Sequence, residues 1–312
     1  MPGGEFDWIA RLLRPLTRGA PEALDLLDDA AVIPSRPGFD LVVTKDAMVA
    51  GVHFLPDDPL DLVARKLLRV NLSDLAAKGA EPWGYFLTTA WPTGTTWADR
   101  ELFVQGLAGD GETFGLTLLG GDTVSTPGPL TLTATLLGWV PQGGAVLRKG
   151  AQPGDLLAVS GGIGNGWLGL KAARGEIDDP ALADRYRLPR PRMDLIDTLR
   201  DQARAAADIS DGLLADAGHL ARASGCAAEI HLERMPVSSA AGAWRRTQSD
   251  DLAALTALAT GGDDYEIVAA FAPDAPLPPG FTLIGGFAAG QGVSVTFKGA
   301  AVPVGRLGWT HG

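Results

Sequence analysis

The chain has 312 residues, 46% of them hydrophobic and 20% charged, with a formal net charge of −11. That composition can bury a core and argues against wholesale disorder, and its acidic balance argues against nucleic acid or an anionic membrane as a main partner. A single cysteine, Cys226, and four scattered histidines leave no intrachain disulfide and no thiol cluster for zinc, so any chemistry must rest on carboxylates, hydroxyls, backbone and a few cations. No apolar run approaches the ~18 residues of a membrane span. The opening "MPGGEFDWIARLLRP" lacks a signal peptide's basic start, apolar core and cleavage site, so a cytoplasmic protein is expected.

In chain order, the first half offers short β-rich runs at "AAVI", "DLVVT", "GYFLTTA", "GLTLLGG" and "LTLTATLLGWV". Between them lie helical stretches, "PLDLVARKLLRVNLSDLAAKGA" and roughly "TWADRELFVQGLAGDGETFG". Turn residues cluster around 143–149, which places a boundary between domains 1–145 and 146–312. The second half opens with a strand, "LLAVSGG", then a glycine-rich turn and a helix. Ala206–Gly225 follows, "AADISDGLLADAGHLARASG", helical after Gly212 by the three- and four-residue steps of Leu213, Ala217 and Leu220. Ser210 and Asp211 occupy the expected N-cap. Further strands are expected at "YEIVAAF" and "FTLIGG". Strands and helices interleave in both halves, so the fold class is α/β (α+β) with two domains.

Aspartates mark the element ends. Asp28 and Asp29 precede "AAVI", Thr44 and Asp46 follow "DLVV", Asp122 follows "LTLLGG", and Asp263 and Asp264 precede "YEIV". Asp208 and Asp211 stand at a helix mouth, where as simple caps they would each contribute about 0.3–1 kcal/mol. Asp74 lies inside a helix apolar nearly all round, and an isolated buried carboxylate needs a partner. Lys66, Lys78 or Arg69 would supply a salt bridge. The sharper reading is a hard, oxygen-loving cation such as Mg²⁺, which a few carboxylates share with substrate phosphates. Such a cation would reconcile two aspartates with a phosphate at one helix mouth. The Gly161–Gly166 run, "GGIGNG", would either cradle phosphate or form an ordinary strand-to-helix turn. Its glycine register does not fit a dinucleotide-binding fingerprint, and neither the P-loop pattern nor protein-kinase signatures occur.

Taken together, "DDAAVI", "TKDAMVAGVHF", "VNLSDLAAKGAEP", "GGDT", "LRKGAQPGD", "DISDGLLADAGH", "GGDDYEIV" and the closing "GWTH" resemble the thiamine-monophosphate kinase family. That family sits within an ATP-binding superfamily shared with aminoimidazole ribonucleotide and selenophosphate synthetases. The resemblance implies Mg²⁺- and ATP-dependent phosphorylation of thiamine monophosphate to thiamine diphosphate. It also implies a homodimer joined through its N-terminal sheets, with ATP near the junction of the two domains. By position, Asp29, Thr44, Asp46, Asp74, Asp122, Asp208 and Asp211 match metal sites. Gly121, Asp122, Arg148 and Ser210 match ATP contacts, while His53, Asp263 and Trp309 match contacts to the thiamine substrate. Asp122, Arg148 and Asp211 are the expected catalytic residues, with in-line transfer and no covalent phospho-enzyme. The bland alternatives are that Trp309 is C-terminal core and His53 a packed loop residue.

Several positions depart from the family's pattern: Leu27 for a glycine, Lys45 for a hydroxyl residue, Asp263 for a glutamate, and Asn165-Gly166 for Asp-Ser. Lys45 would either put its ammonium in a cation's place or point away. Competing readings are a related synthetase, a metal-dependent phosphohydrolase, and a silent nucleotide-binding protein.

Overall fold

A computed structural model describes residues 5–310, so His311 of the closing "GWTH" lies outside the described residues. The chain divides into two compact units, residues 1–75 with 80–143, and residues 76–79 with 144–312.

In the first unit, short helical turns over residues 5–26 precede β1 (Phe39–Val49), α1 (Leu60–Ala77), β2 (Glu81–Pro92), α2 (Trp97–Phe114), β3 (Thr117–Thr126) and β4 (Thr131–Pro141). The four-stranded sheet runs β1-β4-β2-β3, antiparallel except for the β2–β3 pair. The expected strand at 30–33 does not form. Its Val32 N–H turns instead to the Glu22 carbonyl, and Pro34 next to it can donate no ladder bond. Helix α1 is buried nearly all round, as its composition predicts, with Leu67, Leu68, Leu72 and Leu75 fully enclosed. A capping box at Thr96 and Asp99 starts α2. From α2 the buried Asp110 takes both Arg65 and Arg69 as partners.

The second unit contains β5 (Leu156–Ser160), α3 (Asn165–Ala173), α4 (Pro180–Arg187), α5 (Ile196–Gln202), β6 (Ala203–Asp208) and α6 (Leu213–Ser224). It continues with β7 (Ala227–His231), α7 (Ser239–Arg246), α8 (Asp251–Thr260), β8 (Ile267–Phe271), β9 (Phe281–Ala288), β10 (Gly292–Phe297) and β11 (Ala300–Ala301). Its seven-stranded sheet has the order β11-β10-β7-β9-β5-β8-β6. Leu157, Val159, Leu213, Leu220, Leu255, Leu258 and Val268 pack in one core cluster of this unit. The architecture is the two-part α/β fold expected from the interleaved elements. No helix among the described residues is long and apolar enough to cross a membrane.

Candidate active site

In the first unit, β1 continues past the expected end. Its ladder with β4 pairs Thr44 with Leu136, Asp46 with Ala134 and Val49 with Thr131. Thr44 and Asp46 thus lie inside the strand, and its period of two puts both on one face together with the buried Met48. The Thr44 hydroxyl donates to Asp74 Oδ2 at 2.5 Å. Burial, and then the charge of Asp74, push the Asp46 carboxyl up to about 6. Thr44, Asp46 and Asp74 therefore form one oxygen cluster under like-charge strain.

The same alternation puts Lys45 on the opposite face, where it is exposed. Of its two possible roles, the strand adopts the one in which the ammonium points away from the carboxylates. The cations considered as partners for Asp74 have other contacts. Arg69 binds Asp110, Lys66 Nζ donates to the His53 carbonyl, and Lys78 Nζ donates to the Ala206 carbonyl.

His53 is held by its ring as well as by its carbonyl. Its Nδ1 accepts the Val49 N–H at 3.1 Å, so the neutral imidazole carries its proton on Nε2. Asp122 lies within β3 rather than after it, beside Thr88 of β2, and its Oδ1 accepts the Thr123 N–H. Gly121 is obligatory there, because a Cβ would fall 1.8 Å from the Leu87 carbonyl oxygen. Asp29 is exposed, with its N–H donated to the Asp28 carboxylate.

In the second unit, the turn after β6 is stitched to two distant segments by backbone. Ile209 N–H donates to the Glu266 carbonyl, Asp263 N–H to the Ser210 carbonyl, Tyr265 N–H to the Ile209 carbonyl, and Trp309 N–H to the Asp211 carbonyl. These bonds bring Asp208, Ser210, Asp211, Asp263 and Trp309 to one place. Two glycines permit the approach: a Cβ at Gly262 would sit 2.6 Å from the Ser210 carbonyl oxygen, and one at Gly308 would sit 2.4 Å from that of Asp211. Asp263 itself has φ +61° and accepts the Tyr265 hydroxyl at 2.9 Å. Trp309 is half-exposed, with the Arg306 guanidinium 5.4 Å from its ring centre, so it is not core.

Neither Ser210 nor Asp211 caps α6. Gly212, at φ +123°, is its N-cap, and Asp216 from the first turn reaches back to accept the Asp211 N–H at 3.1 Å. Asp211, Asp216 and His219 form the one group among the described residues in which ligand atoms from three such side chains lie within 4.8 Å of one another. Burial and the Asp211 charge push the Asp216 carboxyl up to about 7, against the opposing pull of Arg148. Burial and the Arg148 charge hold His219 down. Arg148 therefore belongs to the same electrostatic neighbourhood. Sequence reasoning missed Asp216 and His219. Their spacing of three on the helix that follows the Asp208–Asp211 turn was the available signal.

In the glycine-rich turn two amides are already bonded to one side chain. The buried Asp264 accepts the Gly164 N–H at 2.8 Å through one oxygen and the Gly166 N–H at 3.0 Å through the other. Burial pushes its carboxyl up to about 7. The chain's own carboxylate thus takes two of the amides that a phosphate would use.

The two halves match, in order, the AIR synthase related protein N-terminal domain over residues 27–140 and the corresponding C-terminal domain over residues 152–275. They define a two-domain AIR synthase-related protein. The thiamine-monophosphate kinase of Caulobacter vibrioides is 59% identical, the match covering 100% of this chain and 92% of that one. Thiamine-monophosphate kinase from Stenotrophomonas maltophilia K279a superposes with a TM-score of 0.82 at 36% identity, covering 96% of this chain and 98% of that one. AaThiL complexed with AMPPCP and TMP gives 0.80 at 29% identity, covering 99% and 97%. The chain belongs to the thiamine-monophosphate kinase family.

Proposed function

We propose that this protein is an ATP-dependent kinase that converts thiamine monophosphate to thiamine diphosphate, with Mg²⁺ as its metal. The observation that carries this reading is the 59% identity to a thiamine-monophosphate kinase along the whole chain. The donor chemistry suits the metal: Thr44, Asp46 and Asp74 offer hard oxygens, and Asp46 and Asp74 repel one another without a cation between them. Asp29, Asp122, Asp208 and Asp211 complete the proposed metal ligands. Bound Mg²⁺ would neutralise phosphate charge and align the reacting groups.

The remaining roles fall to the chain's own groups. Gly121, Asp122 and Ser210 contact ATP, and Arg148 offsets charge developing on the transferred phosphoryl group. Phosphate oxygens on thiamine monophosphate are ionised near neutral pH, so attack on the γ-phosphorus needs alignment more than a general base. His53 presents an Nε2–H donor toward the substrate. Asp263 and the exposed face of Trp309 address the cationic thiazolium, a contact worth about 0.5–2 kcal/mol for the ring. In this division, residues 1–145 carry Thr44, Asp46, Asp74 and Asp122, and residues 146–312 carry Arg148 and the 208–211 turn. The reaction belongs in the cytoplasm, where ATP is supplied.

The test is phosphorus NMR of the purified protein with ATP, Mg²⁺ and thiamine monophosphate. Thiamine diphosphate and ADP should appear together and both should vanish with excess EDTA. ATP loss to free phosphate, with thiamine monophosphate untouched, would replace the kinase by a phosphohydrolase.

We also read the protein as a homodimer. One face of the edge strand β1 shows Phe39, Leu41 and Val43, with Val43 56% exposed. Apolar side chains in a row beside an open ladder invite a second chain. Light scattering should give twice the 32.4 kDa chain mass. Val43→Glu should shift the population toward monomer, and an unchanged dimer would place the interface elsewhere.

A further inference from the structure

Within the second unit lies a cavity of about 510 Å³ that none of the roles above uses. Its cationic side comes from α4 and the segment after it, "RLPRPR", which contribute Arg185, Arg190 and Arg192. The lining also includes the start of α7, with Ser238 at its N-cap and Ser239 in its first turn. Proline at 189 and 191 fixes the backbone around Arg190, so its guanidinium is presented from a stiff arm.

The acidic groups in the lining are already engaged. Glu266 accepts Arg192 Nη1 at 2.8 Å and the Ser160 hydroxyl at 2.6 Å, and lies 3.6 Å from Arg185. Asp194 takes the other edge of Arg192 through Nε at 3.0 Å and Nη2 at 2.9 Å. Arg192 is thus committed to protein carboxylates, and Arg185 makes only a long contact. Arg190 is exposed. With three guanidiniums and two carboxylates lining it, the cavity carries an excess of positive charge. Burial holds the Arg185 pKa down; the Glu266 and Asp264 charges oppose that shift and the Arg190 and Arg192 charges add to it.

The geometry points to a second ligand site here, for the phosphate group of a small organic phosphate. Guanidinium forks match phosphate oxygens, and a helix N-terminus adds its dipole and amides. Leu182, Ala181 and Ala240 in the lining offer apolar surface for the organic part. The volume falls within the ~300–1,000 Å³ of small-molecule pockets.

The probe is phenyl phosphate, titrated calorimetrically into the full-length protein already saturated with Mg²⁺, a non-hydrolysable ATP analogue and thiamine monophosphate. Separate titrations first establish that those three occupy their own site, so a failure of the kinase reading shows there and not in the phenyl phosphate step. One phenyl phosphate per chain should bind. Arg190→Glu should weaken it at least tenfold with an unchanged melting midpoint, whereas Arg148→Ala should leave it intact. Absence of binding to the wild-type chain, or unchanged binding to Arg190→Glu, would overturn the site. Equal affinity for inorganic phosphate would overturn its assignment to an organic phosphate.

Discussion

Asp74→Asn is expected to lower thiamine diphosphate formation roughly 10³-fold while leaving the metal-free protein at least as stable as wild type. Asparagine keeps the volume and an oxygen that can accept the Thr44 hydroxyl, so the α1–β1 contact survives. What disappears is a charge that Asp46 opposes. The metal-free pH profile separates this from simple damage. The Asp46 carboxyl is raised from its ordinary 3.8 to about 6 in the folded chain. Its contribution to stability is therefore full below 3.8 and lost as pH rises through about 6. Without the Asp74 charge that decline becomes shallower, so in EDTA at pH 8 the variant should melt at or above wild type. A variant that is inactive and also less stable at pH 8 would make Asp74 a structural residue rather than a metal ligand.

Gly166→Ser should be severe, although serine is the residue the family resemblance leads one to expect there. A Cβ at 166 would fall 2.0 Å from the Asp263 carbonyl oxygen and 2.8 Å from the Asp263 Cβ. The neighbour is backbone, and Asp263 is held in the left-handed region with its N–H bonded to Ser210. It cannot yield without pulling the 208–211 turn. Overpacking of this kind typically costs about 1–3 kcal/mol, and backbone clashes cost more. Urea unfolding should show a loss of about 3 kcal/mol or more, and the KM for thiamine monophosphate should rise more than kcat falls. Wild-type stability would mean that the backbone at 263 can yield to the added atoms after all. The contact is with the carbonyl and Cβ of residue 263, which aspartate and glutamate share, so the small residue at 166 is required whichever acid stands at 263.

The α/β class and the acidic motifs were legible because both are local patterns: a helical period, a glycine pair, an aspartate beside a short apolar run. Strand limits were less so. Thr44, Lys45 and Asp46 read as a polar end to "DLVV", yet β4 supplies ladder partners through Val49, and pairing overrides propensity. Strand β6, "ARAAAD", carries neither β-branched residues nor alternation. Its Ala205, Ala206 and Ala207 are buried, and a strand covered on both faces loses the period-two signal. Asp216 and His219 were hidden because a helix position is read first for its apolar neighbours. Only the turn at Gly212 shows that Asp216 faces back toward the Asp211 amide. The role of Asp264 was equally invisible, since its partners Gly164 and Gly166 lie about a hundred residues away in the chain.

The stitching of residues 209–211 to 263–265 and 309 is made by main-chain atoms, with Gly262 and Gly308 clearing its path. What those segments display at 208, 210, 211, 263 and 309 is therefore separable from what holds them in position. A lineage can exchange the displayed side chains, as an aspartate for a glutamate at 263, without renegotiating the frame. The same separation gives an engineer a rule for this scaffold: diversify the displayed positions and leave the two glycines alone.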